Sequence, residues 1–128
     1  RGDGKPVSFI EDCAVPLEHL AEYTAALTEV FARHGTRGTW YAHASVGTLH
    51  VRPILDMRID GAQLMREIAE EAAELVRRFR GAYSGEHGDG LVRSEWVRWQ
   101  FGSRLESAFE KIKDLFDPLG LMNPGKIF

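Results

Sequence analysis

The sequence has 128 residues, 44% of them hydrophobic and 27% charged, with a formal net charge of −3. This length and composition suit one domain with a hydrophobic core, and the charge excludes the basic stripe of a nucleic-acid-binding protein. Cys13 is the only cysteine, so a disulfide framework and a thiolate zinc site are excluded, as in a reducing compartment. No apolar run is long enough to span a membrane, and the sequence predicts a cytoplasmic protein, with peripheral attachment to a membrane left open.

The first predicted element is a helix from Pro16 to about His34. Proline is favoured at the first helical position, and Gly35 is a typical stop signal. The predicted apolar face of this helix consists of Leu17, Leu20, Leu27, Val30 and Phe31.

Two β-favouring runs, residues 39–42 and 49–52, follow this helix with turn-forming residues between them. They predict a β-hairpin. With the turn centred on residues 46–47, His43 lies directly opposite His50, and such side chains share a face with Cβ atoms about 4.5–5.5 Å apart. The hairpin therefore offers two imidazoles to one ion, although a half-exposed histidine pair without metal fits the same pattern.

The longest predicted helix runs from about Ala62 to Arg80, after a capping-box-like pair formed by Asp60 and Gln63. Its apolar residues recur at helical spacing, which indicates a core face. Residues 82–84 then predict a short strand. The apolar stripe of the helix consists of Leu64, Met65, Ile68, Ala72, Leu75, Val76 and Phe79.

Two further helices are predicted near the end of the chain. A short one covers residues 93–101, where Trp96 and Trp99 are expected in the core, with a position facing a further domain of the protein as the alternative. The other opens at a second capping-box-like motif, residues 103–106, and ends at residues 117–118, because a residue before proline disfavours helix. Its inward face is expected to consist of Leu105, Phe109, Ile112, Leu115 and Phe116.

These elements predict an α+β fold in which an antiparallel sheet carries helices on one face. About three strands are visible, and so small a sheet is marginally stable when isolated. Pairing with a second copy as a homodimer is therefore left open.

The segment 85–90, with the sequence GEHGDG, adds further candidate ligands. Its glycines let the backbone bend sharply and approach a ligand closely, although a solvated turn would also contain them. Neighbouring side chains of an extended segment diverge, so Glu86 is available to join His43 and His50 around an ion while His87 faces whatever lies beside it. Two histidines and a carboxylate leave coordination positions open, as in catalytic metal sites.

Three segments, HASVGTLH (43–50), SGEHGDGLVRSEW (84–96) and FDPLGLMNPGKIF (116–128), resemble the C-terminal part of FAD-linked oxidases. These are the D-lactate dehydrogenase, glycolate oxidase and D-2-hydroxyglutarate dehydrogenase group of the vanillyl-alcohol oxidase superfamily. Residues 9–16, FIEDCAVP, are similar to a helix-opening segment of the same domain. The resemblance implies a ferredoxin-like cap. Residues 1–128 are then expected to be a C-terminal fragment of a larger enzyme, inactive without its flavin-binding domain.

The resemblance also implies roles for the polar cluster. His43, His50 and Glu86 would hold a divalent metal, usually zinc, and His87 would remove the substrate's hydroxyl proton. The implied reaction is the oxidation of a 2-hydroxy acid of the lactate, glycolate or 2-hydroxyglutarate type. The metal would stabilise the developing alkoxide, and hydride would pass to FAD.

The same resemblance places residues at the substrate and the cofactor. Arg52 stands where family members can carry an asparagine that touches substrate. An arginine there is expected either to clamp a substrate carboxylate or to pair with Asp56. Asn123 and Lys126 are implied to lie near the flavin, which binds mainly to the FAD-binding domain of the same polypeptide.

Two alternatives from other functional classes stay open on the sequence. One is a metal-dependent hydrolase that activates water at a site of two histidines and a glutamate. The other is a non-catalytic ferredoxin-like dimerisation module in which the histidines are structural.

Overall fold

The computed structural model describes residues 2–128. It comprises two compact units, of which the first ends at His87 and the second begins at Gly88. The first contains a small antiparallel sheet and helices, and the second is helical, so the predicted α+β class is confirmed. Over the part of the chain described, each helix is too short or too polar to cross a bilayer.

The sheet of the first unit has three antiparallel strands: β1 (Lys5–Pro6), β2 (Gly38–His43) and β3 (Thr48–Leu55). Their order is β1-β3-β2, so β3 is the central strand. The hairpin of β2 and β3 was predicted, but the strand at residues 82–84 is wrong. That stretch contributes an isolated bridge, and β1 supplies the third strand instead.

Two helices complete the first unit, and both predictions are confirmed to within a few residues. A 3-10 turn, Leu17–His19, leads into α1 (Leu20–Arg33), and Gly35 follows its end with a φ of 65°. The second helix is α2 (Gly61–Arg78).

The capping box predicted at the start of α2 is wrong. The side chain of Asp60 makes no capping hydrogen bond within the described residues. Gln63 donates instead to Glu67, one turn further along the helix, at 2.8 Å, because an amide at this position reaches an i+4 carboxylate on the helix surface.

The core of the first unit lies between the helices and one face of the sheet. The ring of Phe31 in α1 lies 5.6 Å from that of Trp40 in β2, and Val51 of β3 is fully buried. Leu17, predicted on the apolar face, is exposed because it precedes α1 in the 3-10 turn. The buried residues of the two helices are mostly apolar: Tyr23, Leu27, Val30, Phe31, Gly61, Ile68, Ala69, Ala72, Ala73 and Val76.

The second unit begins with a short helix, α3 (Gly90–Arg93), and a 3-10 turn, Ser94–Trp96, before α4 (Val97–Phe116). Gly102 interrupts α4 with a φ of 78° and a ψ of 162°. The two helices predicted near the end of the chain, residues 93–101 and the one that opens at residues 103–106, therefore meet at Gly102 within α4. The end of α4 before Asp117 is confirmed.

The predicted inward face of α4 is wrong in four of its five residues. Residues 88–128 contain no sheet or second long helix that could cover this stripe, although the ring of Phe109 contacts those of Phe101 and Phe128. Trp96 is buried as predicted, whereas Trp99 is exposed. The exposed members of the stripe are Leu105, Ile112, Leu115 and Phe116.

Candidate metal centre

The register of the hairpin differs from the predicted one. His50 pairs with Tyr41, and His43 pairs with Thr48, so the two histidines are diagonal neighbours rather than directly opposed. The cause is the connection, which is a 3-10 turn over Ala44–Val46 followed by Gly47 with a φ of 71°. The connection is therefore four residues long, not the two residues assumed for a tight turn.

The two imidazoles nevertheless meet on one face of the hairpin. Their ring centroids are 5.0 Å apart and the rings are perpendicular, which agrees with the reach of long side chains between diagonal positions. The ring of Tyr41 stacks on His50 with centroids 4.4 Å apart. His50 is 3% exposed, whereas His43 is largely open to solvent.

A connecting segment, residues 11–15, brings the loop that contains the GEHG motif (residues 84–88, the GEHG loop) to this hairpin. Along one edge it pairs with β3, where the N–H of Leu49 donates to the carbonyl of Cys13 at 3.0 Å. Along the other edge Ala14 and Ala82 exchange two backbone hydrogen bonds of 2.8 and 2.9 Å. The segment therefore lies between the strand that carries His50 and the chain that leads into the loop.

Asp12, the second residue of this segment, binds the loop directly. Its Oδ2 accepts hydrogen bonds from the hydroxyl of Ser84 at 2.7 Å and from the backbone N–H groups of Glu86 at 2.9 Å and His87 at 2.7 Å. Its backbone carbonyl accepts from the N–H of Gly85 at 2.8 Å. Four consecutive loop residues are thus bound to one buried aspartate.

The predicted ligands converge. Glu86 Oε1 lies 3.7 Å from His43 Nε2, and Glu86 Oε2 lies 3.4 Å from His50 Nε2. One donor atom from each of the three residues falls within 4.8 Å of the others. Neutral imidazole and carboxylate are the donors that zinc takes in catalytic sites.

The surroundings of the His50 ring show whether the residues present would fit the implied ion. Both ring nitrogens are buried and have no hydrogen-bond partner among residues 2–128, because the approach of Glu86 at 3.4 Å does not have hydrogen-bond geometry. An unpaired buried donor or acceptor costs about 1–3 kcal/mol. A metal bound to Nε2 would satisfy one of these nitrogens, so the residues fit the implied ion.

His87 lies beside the three predicted ligands, and its role stays a prediction. Its Nε2 is 3.8 Å from Glu86 Oε2, and its ring centroid is 5.7 Å from that of His50. It is about half exposed. A base in this position would be open to a substrate that enters from solvent.

Arg52 lies on the same face of β3 as His50, two residues further along. Its Nε donates to Glu11 Oε1 at 3.0 Å, and its Nη2 donates to the same oxygen. These hydrogen bonds hold the pKa of Glu11 below its ordinary value, against the effect of burial. The alternative partner Asp56 is wrong, since its ion pair within the described chain is with Arg58.

The two residues predicted near the cofactor lie in the second unit. Asn123 adopts a left-handed backbone conformation with a φ of 50°. Lys126 lines an apolar cavity with Phe109, Ile112 and Phe128. Their role at the flavin stays a prediction.

Sequence reasoning missed three residues that shape this site: Glu11, Asp12 and Tyr41. The first two lie in the FIEDCAVP segment, which was noticed only for its resemblance. Their signal was a pair of acidic residues next to apolar ones, where a buried carboxylate implies a specific partner. Tyr41 gave no signal beyond its β propensity.

Comparison with known proteins identifies the domain. The sequence profile of the family described as FAD linked oxidases, C-terminal domain, matches residues 1–127. The chain is 41% identical to the D-2-hydroxyglutarate dehydrogenase of Pantoea ananatis, over 99% of the chain and 12% of that protein. It is 30% identical to the glycolate oxidase subunit GlcD of Bacillus subtilis, over 97% of the chain and 27% of that subunit.

A third relative is a D-lactate dehydrogenase. The chain is 31% identical to the D-lactate dehydrogenase of Archaeoglobus fulgidus, over 99% of the chain and 28% of that enzyme. The chain thus spans between about an eighth and about a quarter of the length of these relatives. Because the family profile covers nearly all of its residues, the chain belongs to the FAD-linked oxidase C-terminal domain family.

Proposed function

We propose that the protein containing this chain oxidises a 2-hydroxy acid, with FAD as hydride acceptor and a divalent metal, zinc, held by His43, His50 and Glu86. The observation that carries the proposal is the convergence of these three donors within 4.8 Å in a chain of this family. Relatives named for the oxidation of 2-hydroxyglutarate, glycolate and lactate support the substrate class.

The residues beside the metal would carry the proton and the substrate. A bound zinc ion would supply Lewis-acid stabilisation of the substrate's hydroxyl oxygen as it loses its proton. His87 Nε2, which lies on the side of Glu86, is the proposed acceptor of that proton. Its partial exposure leaves room for it to pass the proton on to solvent.

Arg52 is the proposed ligand of a substrate carboxylate. A guanidinium has five N–H donors in a planar fork, and Glu11 uses only Nε and Nη2. The remaining donors can bind a carboxylate while the ion pair with Glu11 holds the fork in place. Asn123 and Lys126 are proposed to contact the flavin, which the FAD-binding domain of the same polypeptide would hold.

The test is an assay of the full-length protein with lactate, glycolate and 2-hydroxyglutarate and a dye acceptor. We expect a flavin spectrum, reduction of the dye by at least one of these acids, and loss of turnover after the metal is removed with a chelator. Replacing a general base typically lowers the rate 10²- to 10⁴-fold, so His87→Asn should lose at least about 100-fold in kcat.

The matched control is His34→Gln, since His34 lies in the same unit but contacts Glu67 and Glu71 instead. This variant should retain turnover. Near-normal activity of His87→Asn at neutral pH would exclude His87 as the base. A protein that contains no flavin and hydrolyses esters or amides would contradict the oxidoreductase, which family membership favours over both alternatives.

A further inference from the structure

The GEHG loop has little conformational restraint of its own, because Gly85 and Gly88 flank Glu86 and His87. Gly85 has no side chain, and a Cβ there would lie 3.1 Å from the carbonyl oxygen of Asp12. Gly88 has a φ of 77°. Glycine loses more backbone freedom on ordering than any other residue, so a loop of this composition needs an external partner to hold Glu86 and His87 in place.

We infer that Asp12 is the positioning residue of the metal centre, which deepens the proposed function and rests on it. Asp12 is 0% exposed, and its Oδ2 accepts from two successive backbone N–H groups, those of Glu86 and His87. Successive N–H groups form a concave anion site. Here the anion belongs to the protein, and it orients the ligand Glu86 and the base His87 through a single atom.

Asp12 also fixes the distance between the two halves of the site. Its neighbours in the chain are bound to β3, through the hydrogen bonds from Val51 N to Glu11 O at 3.1 Å and from Leu49 N to Cys13 O at 3.0 Å. His50 lies between Leu49 and Val51 on that strand. The position of Glu86 relative to His50 is therefore set through Asp12, because no direct hydrogen bond joins the two ligands.

The energetic argument favours a charged acceptor at this place. Hydrogen bonds to a carboxylate are roughly twice as strong as those between neutral groups, and Ser84 adds a third donor to the same oxygen. An alanine would leave the amides of Glu86 and His87 without their acceptor. An asparagine would keep one oxygen in the same place but without the charge.

The first test is zinc affinity of the protein, measured by competition with a chromophoric chelator. Loss of a group that orients a metal ligand typically costs 10- to 100-fold in affinity, so Asp12→Ala should weaken zinc binding by that factor. Asp12→Asn should lose less and rescue part of the affinity. The visible spectrum of the cobalt-substituted protein should change in the same order, because it reports ligand geometry.

The matched control is Tyr83→Phe. The hydroxyl of Tyr83, one residue before the loop, donates to the carbonyl of Ala69 at 3.1 Å, so the variant loses a buried hydrogen bond without touching the amides of Glu86 and His87. Its zinc affinity should stay within about threefold of the wild type. If Tyr83→Phe and Asp12→Asn weaken binding equally, general destabilisation explains the effect and the inference is overturned.

The second test is amide hydrogen exchange without metal, followed by NMR. In Asp12→Asn the amides of Glu86 and His87 should exchange at least tenfold faster, while those of β3 keep their rates. Unchanged exchange together with wild-type zinc affinity would overturn the inference. If Asp12→Ala does not fold, the same measurements on Asp12→Asn and Ser84→Ala test the inference. Each of these variants keeps an oxygen acceptor at position 12, an amide oxygen in the first and the carboxylate in the second.

The two proposals fail in different ways. If the wild-type protein binds no zinc, the metal is excluded from the proposed function. In that case, slower exchange of the Glu86 and His87 amides in the wild type than in Asp12→Asn would still show that Asp12 orders the loop. If Asp12→Ala binds zinc as tightly as the wild type does, only the role of Asp12 is overturned, and the proposed function is unaffected.

Discussion

Glu11 is a carboxylate that the fold buries beside a partly exposed arginine. It is 6% exposed and accepts hydrogen bonds from Arg52 and from the hydroxyl of Ser8. The hydrogen bond from Arg52 lowers the pKa of Glu11 more than burial raises it. The folded protein therefore favours the ionised form more than the unfolded chain does.

We predict that Glu11→Gln lowers the free energy of unfolding by about 1 kcal/mol at pH 7, because a charge-assisted bond becomes a neutral one. The folded pKa lies below the ordinary value of 4.5, so the contribution is complete above that pH and is lost as the pH falls through the folded pKa. The difference between variant and wild type should shrink toward zero in acid.

Urea denaturation at pH 7 and near pH 3 measures this difference. The comparison with the variant isolates Glu11 from other acids with a lowered pKa, such as Glu71 and Asp117. An equal loss of stability at both pH values would mean that the charge of Glu11 contributes nothing. A wild type no more stable than Glu11→Gln at pH 7 would lead to the same conclusion.

At the scale of single residues, the sequence indicates the candidate metal ligands better than it indicates the residues that hold those ligands in place. His43, His50 and Glu86 stand out in the sequence because imidazole and carboxylate are common metal donors, although the same residues also fit readings without a metal. Glu11 and Asp12 are not identified from the sequence, because their partners lie about 40 and about 74 residues away along the chain, respectively. Only the folded structure shows which backbone amides and which guanidinium they meet.

The hairpin shows how a single residue sets the register of an element. Gly47 has a φ of 71°, and a Cβ built on it would lie 1.9 Å from the carbonyl oxygen of Val15. The carbonyl of Gly47 also accepts a hydrogen bond from the N–H of Val15 at 3.0 Å. The turn between His43 and His50 therefore tolerates only glycine at this position.

We predict that Gly47→Ala lowers the free energy of unfolding by about 3 kcal/mol or more, as the sum of left-handed backbone strain and a clash with backbone. Gly35→Ala is the matched control, since Gly35 has a φ of 65° but open space around its Cα. It should cost only the strain, about 1–2 kcal/mol. Chemical denaturation of both variants measures the difference, and equal losses would contradict the clash.

The register was predicted wrongly for a reason that the same residues explain. A two-residue turn centred on residues 46–47 would place a β-branched valine where a type I′ turn requires positive φ. A 3-10 turn avoids this by leaving Gly47 as the residue with positive φ. The presence of the hairpin follows from the pattern of strand-forming residues, whereas its register depends on turn length, which the pattern does not specify.

At the scale of the whole molecule, the spacing of apolar residues predicts which face of a helix is apolar but not which element packs against that face. The stripes of α1 and α2 meet each other and the sheet, and more than half of their predicted residues are buried, including Leu27, Phe31, Ile68 and Val76. The stripe of α4 is equally periodic, yet Leu115 is 75% exposed. The apolar spacing therefore predicts a helix correctly in both units. Whether its apolar face is buried depends on a second element that packs against it, which the local sequence does not specify.

All three proposed metal ligands belong to the first unit, residues 2–87. His43 and Glu86 are far apart in the sequence, so an ion bound to both would join two segments that separate on unfolding. A ligand that binds only the folded state adds RT ln(1 + [L]/Kd) to its stability. At a fixed concentration of free zinc, the stabilisation of this unit should therefore grow with the logarithm of the zinc affinity.

We predict that free zinc at 100 times Kd raises the free energy of unfolding by about 2.7 kcal/mol, which corresponds to a rise in Tm on the order of 10–20 °C for a unit of this size. A chelator should reverse the shift. His50→Ala should abolish it, whereas His34→Gln, which alters a histidine paired with Glu67 and Glu71, should preserve it. If zinc raised the Tm of His50→Ala as much as that of the wild type, the ion would bind elsewhere, and the convergence of His43, His50 and Glu86 would have a structural role only.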